Sequence, residues 1–303
     1  MATGKGASGP SKRDRREEAR ETARRMREEA AKKAKRRKVI VQSSVIVGIV
    51  AVLAIVGVVI FTSVSASSNV ANPKNMLSGG LLLTKSDQAV TTPAIASGAQ
   101  PTPTKQTLDG KTAHIQIWLD YQCPYCNEFE TTNAPQIKQM LDEGSATLEI
   151  HPVAILDSAK NNQYSTRSAA AMACLASEQP DKFFDINSAL FAKQPDESTG
   201  TGLTNAEILT IFKDNGVDSK TITDCVNKQT YEKFITNRTN DAVADKQLAG
   251  PQGGFGTPTV FVNGERYQGG FTNAEQFAAF VAAAVKDAGS SGSVTFPTPT
   301  PSK

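Results

Sequence analysis

Histidine is nearly absent from this chain: His114 and His151 are the only two. Neither stands beside a plausible nucleophile, and His151 precedes Pro152 at the end of an apolar run. A histidine-based hydrolytic centre is therefore disfavoured, and both read as core or loop residues. Cysteine is sparse too, with Cys123, Cys126, Cys174 and Cys225. Zinc sites usually repeat short ligand spacings, whereas Cys174 and Cys225 stand alone, so zinc is disfavoured and no metal ligand is assigned. Also missing is a basic excess across the body of the chain. Residues 1–38 hold 15 Lys and Arg against 6 Asp and Glu, while the remainder is net acidic. Basic charge confined to one short end argues against nucleic-acid binding and for a tail at an anionic surface. There is no internal repeat. The arginine pairs Arg15-Arg16 and Arg24-Arg25 are not closely followed by an apolar run, which argues against either as a twin-arginine signal.

Long apolar runs are absent except for one. From Val45 to Phe61 there is no polar side chain. The surrounding segment, 39–62, is long enough as a helix to cross a hydrocarbon core of about 30 Å. A helix apolar on every side suits lipid better than a protein interior. Lys32, Lys33, Lys35, Arg36, Arg37 and Lys38 precede it directly. The positive-inside rule then keeps residues 1–38 cytoplasmic as a basic tail and puts residues 63–303 outside. A cleaved signal peptide is the competing reading, with small Val64 and Ala66 near its end. The long preceding region and the length of the apolar core favour a retained single-pass anchor.

Residues 63–106 are rich in Ser, Thr, Ala and Pro and read as an extracytoplasmic linker, with a short strand at Gly79 to Thr84 the one element expected in it. Residues 289–303, ending in a Pro-Thr repeat, read as a disordered tail. Between them, residues 107–288 alternate strand and helix patterns. Strands are expected at 114–120, 146–153 and 259–262. Asn263-Gly264 marks a hairpin leading to 266–268. Helices are expected at 124–141, with a kink or break at Pro135, and at 165–176, 181–191, 205–213, 229–247 and 271–286. Trp118 reads as packing.

The chemistry centres on Cys123-Pro124-Tyr125-Cys126. It lies where a strand ends and a helix begins, so the first thiol meets unpaired backbone N–H groups and the positive end of the helix dipole. Both favour the thiolate. Pro124 suits the first helical turn. Cys126, one turn on, is placed to attack a mixed disulfide formed at Cys123. Asp120, three residues earlier, either tunes the thiol or merely ends the strand.

The segment Asp120 to Glu130 resembles the active-site segment of DsbA-like thiol–disulfide oxidoreductases, in their membrane-anchored bacterial form. His151-Pro152-Val153-Ala154, Tyr164 to Ala170 and Gly256 to Gly264 match the family further, in the same order. The resemblance covers residues 107–288. It implies an α/β thioredoxin-like fold with a helical subdomain inserted at about 161–248, preceded here by the single transmembrane helix. It implies a cis bond before Pro258, set beside the dithiol, with Thr257 offering its backbone to substrate and Pro124 and Tyr125 supporting the site. Cys174 and Cys225 fall in the insertion and are expected to pair as a structural disulfide, since exported cysteines rarely stay free. No cofactor is implied. The expected partners are exported proteins with reduced cysteines and a DsbB-like or VKOR-like membrane protein that re-oxidises the dithiol. Net oxidation is the expected direction, with reductase, isomerase and an anchored peptide-binding protein as alternatives.

Overall fold

A computed structural model describes residues 71–198 and 200–288, together with the backbone of 292–295. All lie in the second of two units, Ser67–Lys303. The apolar run and the basic tail lie outside the described residues. Among the described residues no helix is long and apolar enough to cross a membrane.

The centre is a six-stranded mixed sheet in the order β2-β1-β5-β4-β6-β7. Its strands are β1 (Leu81–Lys85), β2 (Gln88–Ala89), β4 (Ala113–Leu119), β5 (Ala146–Pro152), β6 (Thr259–Val262) and β7 (Glu265–Arg266). β4 and β5 run parallel, joined through helix α1 (Pro124–Asp142); the other neighbours are antiparallel. A parallel pair needs such a crossover. Every residue of β4 is buried, as a central strand covered on both faces requires. Ile115, Ile117 and Leu119 share one core with Phe129, Ile137 and Leu141 of α1. On the other face Trp118 and Phe261 pack with Ala242 and Leu248. At the β6–β7 turn, Asn263 and Gly264 both have positive φ (51° and 87°), the conformation a two-residue hairpin demands.

The segment between β5 and β6 is helical: α2 (Tyr164–Glu178), a 3₁₀ turn at Pro180–Lys182, α3 (Phe183–Ala192), α4 (Asn205–Asp214), α5 (Lys220–Asn227) and α6 (Glu232–Ala244). α2 is buried from Tyr164 to Ser177, and its alanines at 169, 170, 171, 173 and 176 let its neighbours approach closely. Cys174 on α2 and Cys225 on α5 are joined by a disulfide. α7 (Ala274–Asp287) returns to the sheet through Phe277 and Val281.

Three local expectations are corrected. α1 runs unbroken through Pro135, whose ring sits on an otherwise continuous helix. The strand expected at Gly79 to Thr84 is β1, but the stretch expected as linker up to residue 106 joins the main sheet through it, adds β2, and ends in β3 (Lys105–Leu108), which pairs with β8 (Gly292–Thr295), within the expected tail. Buried polar contacts, invisible to composition, hold this segment down. Glu149 on β5 accepts from Ser78, from Thr104 (2.7 Å) and from the Gln116 amide (2.8 Å). Asn75 donates to the Ala176 carbonyl at 2.8 Å. The third correction is α5, a separate helix where no pattern was assigned.

Candidate active site

Cys123 is the N-cap of α1, in extended conformation, with Pro124 in the first turn. Its carbonyl accepts from the N–H groups of Cys126 (3.1 Å) and Asn127 (3.2 Å), which starts the helix. Both thiols are free. Cys126 is sealed at 0% exposure, whereas Cys123 keeps 4%. Both are buried, and Cys123 is the less enclosed of the two.

The two thiols are electrostatically unlike. The hydrogen bond from Cys126 draws the Cys123 pKa below its ordinary value, helped by the Cys126 backbone N–H and opposed by burial. Burial, then the neighbouring Cys123 sulfur, pushes Cys126 well above the ordinary thiol value. This asymmetry makes Cys123 the thiol that ionises more readily and Cys126 the one that holds its proton.

The antiparallel pairing of β4 with β6 brings Thr257 and Pro258 to the dithiol from more than 130 residues away. The Thr257–Pro258 bond is cis. Cys123 Sγ donates to the Thr257 carbonyl at 3.3 Å. A thiolate cannot donate, so ionisation must break this contact. The buried Thr257 hydroxyl, which has no other partner, is then the nearby donor. Tyr125 is 59% exposed beside the site, its ring 6.4 Å from that of Phe271.

Asp120 is fully buried and acts as a clamp. Its carboxylate accepts from the N–H groups of Gln122 (2.9 Å), Ile155 (2.8 Å) and Leu156 (3.0 Å), tying the active-site turn to the loop after β5. Burial nevertheless raises its pKa to about 6. Glu130, one turn beyond Cys126, is raised by burial to about 7, with the facing Asn187 pulling it down. It lies at an open groove of about 610 Å³ between α1 and α3. His151 stacks on Trp118 at 4.4 Å, and His114 bonds to Thr107 and Thr147, so both serve packing. Cys174 and Cys225 lie apart from the dithiol, in the helical insertion. Among the described residues no group of three or more His, Cys, Asp or Glu could hold a metal.

Two residues at the site had no assigned role in the sequence. Gln194, in the loop after α3, donates through Nε2 to the carbonyls of Tyr121 (3.0 Å) and Cys123 (2.9 Å). Asn127 donates to Gln194 Oε1 and to the Phe191 carbonyl, both at 3.1 Å. No local pattern marks Gln194, which reaches Cys123 across 71 positions of chain.

Residues 110–298 match the thioredoxin family. A solved structure of the reduced disulfide bond oxidoreductase DsbG from Mycobacterium tuberculosis is similar, with 31% identity and a TM-score of 0.50 over 58% of this chain and 80% of that one. Disulfide bond formation protein D of Bacillus subtilis is 27% identical over 175 residues, covering 55% of this chain and 72% of the relative. The serine/threonine-protein kinase PknE of M. tuberculosis is 28% identical over 151 residues, 48% of this chain. The chain spans only about a quarter (26%) of that kinase's length. With the dithiol at a strand-to-helix junction and the helices inserted before β6, the chain belongs to the thioredoxin family, among its DsbA-like thiol–disulfide oxidoreductases.

Proposed function

We propose that the protein oxidises dithiols of exported proteins outside the cytoplasm, held at the cell membrane by residues 39–62. One observation carries the chemistry: Cys123, the less enclosed thiol, has its pKa lowered at the start of α1, while the fully buried Cys126 one turn on has its pKa raised. In the oxidised enzyme a substrate thiolate attacks Cys123 Sγ, forming a mixed disulfide, and Cys126 leaves and takes up a proton. A second substrate thiolate attacks the substrate sulfur of that bond. Cys123 departs as the thiolate its surroundings favour. The substrate gains a disulfide and the enzyme takes two electrons, which a membrane partner of DsbB or VKOR type would remove. The exposed Tyr125 and the backbone of Thr257 offer an extended substrate segment its first contacts. The apolar run and the basic tail before it support the location.

Direction follows from the thiolate. Whatever stabilises it stabilises the reduced enzyme and makes its disulfide a better oxidant. Tyr125 brings no positive charge, so a potential between the DsbA and thioredoxin extremes, about −120 and −270 mV, is expected. Equilibration with glutathione buffers and oxidation of a reduced, unfolded protein test this. In parallel, Cys126→Ser should accumulate mixed disulfides and Cys123→Ser should not. A potential as low as thioredoxin's with no oxidation of the unfolded protein would establish a reductase instead.

A further inference from the structure

The loop after α3 and the active-site turn are laced together in both directions. From the loop, Gln194 Nε2 reaches the Tyr121 and Cys123 carbonyls at 3.0 and 2.9 Å. From the turn, Gln122 Nε2 reaches the Pro195 carbonyl at 3.1 Å. Asn127 fixes which way round the Gln194 amide lies. Its Nδ2 donates to Gln194 Oε1, so that atom must be the oxygen, and the nitrogen must face the two carbonyls. Gln194 is half-buried, at the rim of a cleft of about 580 Å³ that also includes Pro124 and Glu197. It forms no part of any apolar core. A side chain contributing mainly packing would not need a second side chain to orient its amide.

The two carbonyls that Gln194 caps belong to Cys123 itself and to the residue two before it. Carbonyl oxygens are the negative ends of peptide dipoles, and negative charge near a thiolate opposes its formation. A donor placed on each both satisfies the oxygen and offsets its field. It also holds the turn so that Cys123 stays over the N–H groups of α1. We propose that Gln194 is a positioning residue for thiol exchange, binding the carbonyls of Tyr121 and Cys123 so that the helical insertion sets the redox poise of the dithiol. This rests on the dithiol chemistry proposed above.

The test uses the reduced full-length chain and two variants of similar size. Gln194→Met removes the donors, and Gln194→Glu turns an acceptor toward the carbonyls. Two quantities are read: the Cys123 titration midpoint, from thiolate ultraviolet absorbance, and the equilibrium with glutathione. Loss of two hydrogen bonds beside the anion should raise the midpoint by about half to one pH unit in Gln194→Met, and further in Gln194→Glu. The glutathione equilibrium should move about three- to tenfold toward the oxidised enzyme in Gln194→Met. Lys193→Ala, one position earlier and exposed, should change neither. A role confined to stability would lower the melting temperature and leave the midpoint in place. A folded Gln194→Met with the wild-type midpoint therefore overturns the proposal. Should that variant not fold, Asn127→Ser frees the Gln194 amide and should shift the midpoint the same way, by less; an unmoved midpoint there also overturns it. Failure of the wild-type chain to exchange with glutathione would instead sink the proposed function, and the midpoint would still report on Gln194.

Discussion

Cys126 and Glu130 stand one turn apart on the buried side of α1, and both are groups that burial keeps protonated. For Glu130 this has a consequence for stability that can be signed. Its carboxyl ionises near 4.5 in the unfolded chain and at about 7 when folded. Between these values the folded state holds a proton that the unfolded state has released, so stability falls as pH rises from about 4.5 to about 7. A displacement of that size corresponds to about 3 kcal/mol. Glu130→Gln keeps the shape without the ionisable group, so it should be more stable than wild type at pH 8 and equal to it near pH 4. Denaturant midpoints at the two pH values check this; a variant weaker at both would show that the carboxyl contributes hydrogen bonding that the amide cannot replace. Glu149 has the opposite sign. Burial alone would raise it, but His151 and the hydroxyls of Ser78 and Thr104 hold it at about 2, so its contribution is present above about 4.5 and is lost as pH falls toward 2.

The helices of the insertion are arranged around α2, and the Cys174–Cys225 disulfide ties α2 to α5. A link closing a loop of 51 positions restricts the unfolded chain and should contribute roughly 2–4 kcal/mol. The paired change Cys174→Ala and Cys225→Ala should lower stability by that amount yet keep thiol exchange while folded, since neither sulfur reaches the dithiol. Chemical denaturation and a glutathione exchange assay on the same sample separate the two effects. Elements also show where sequence is readable. β4, α1, β5 and the Asn-Gly hairpin were legible because alternation, a helix-starting proline and a turn dipeptide are local signals. The dithiol was legible for the same reason. β1 was expected as a short strand at Gly79 to Thr84, but its place in the main sheet, and β2, were hidden because the contacts that hold this segment, at Glu149 and Asn75, are made by single polar residues bonding across the chain. α5 was missed because only two of its residues, Ile222 and Val226, are buried, too few to set a period. Gln194 was missed because its role exists only once α3 has packed beside α1.

At the scale of the whole molecule, the charge asymmetry and the apolar run before the domain make a prediction about sidedness. Protease added to cells stripped of their wall should digest the catalytic domain and spare the N-terminal basic tail, read with an antibody to each end. Survival of the domain would place it inside. The sheet adds a further consequence. β4 leads into the dithiol at the start of α1 and lies between β5, close behind it in sequence, and β6, which arrives only after the whole helical insertion. A chain threaded outward from its N-terminus presents Cys123 and Cys126 well before Thr257 and Pro258 can cover them. Four cysteines allow three complete pairings, and one alone leaves the catalytic pair intact. Cys174 and Cys225 both precede β6, so their bond can close while β6 is still emerging. The order of elements along the chain thus leaves the choice among the three pairings to be made while the dithiol is still uncovered.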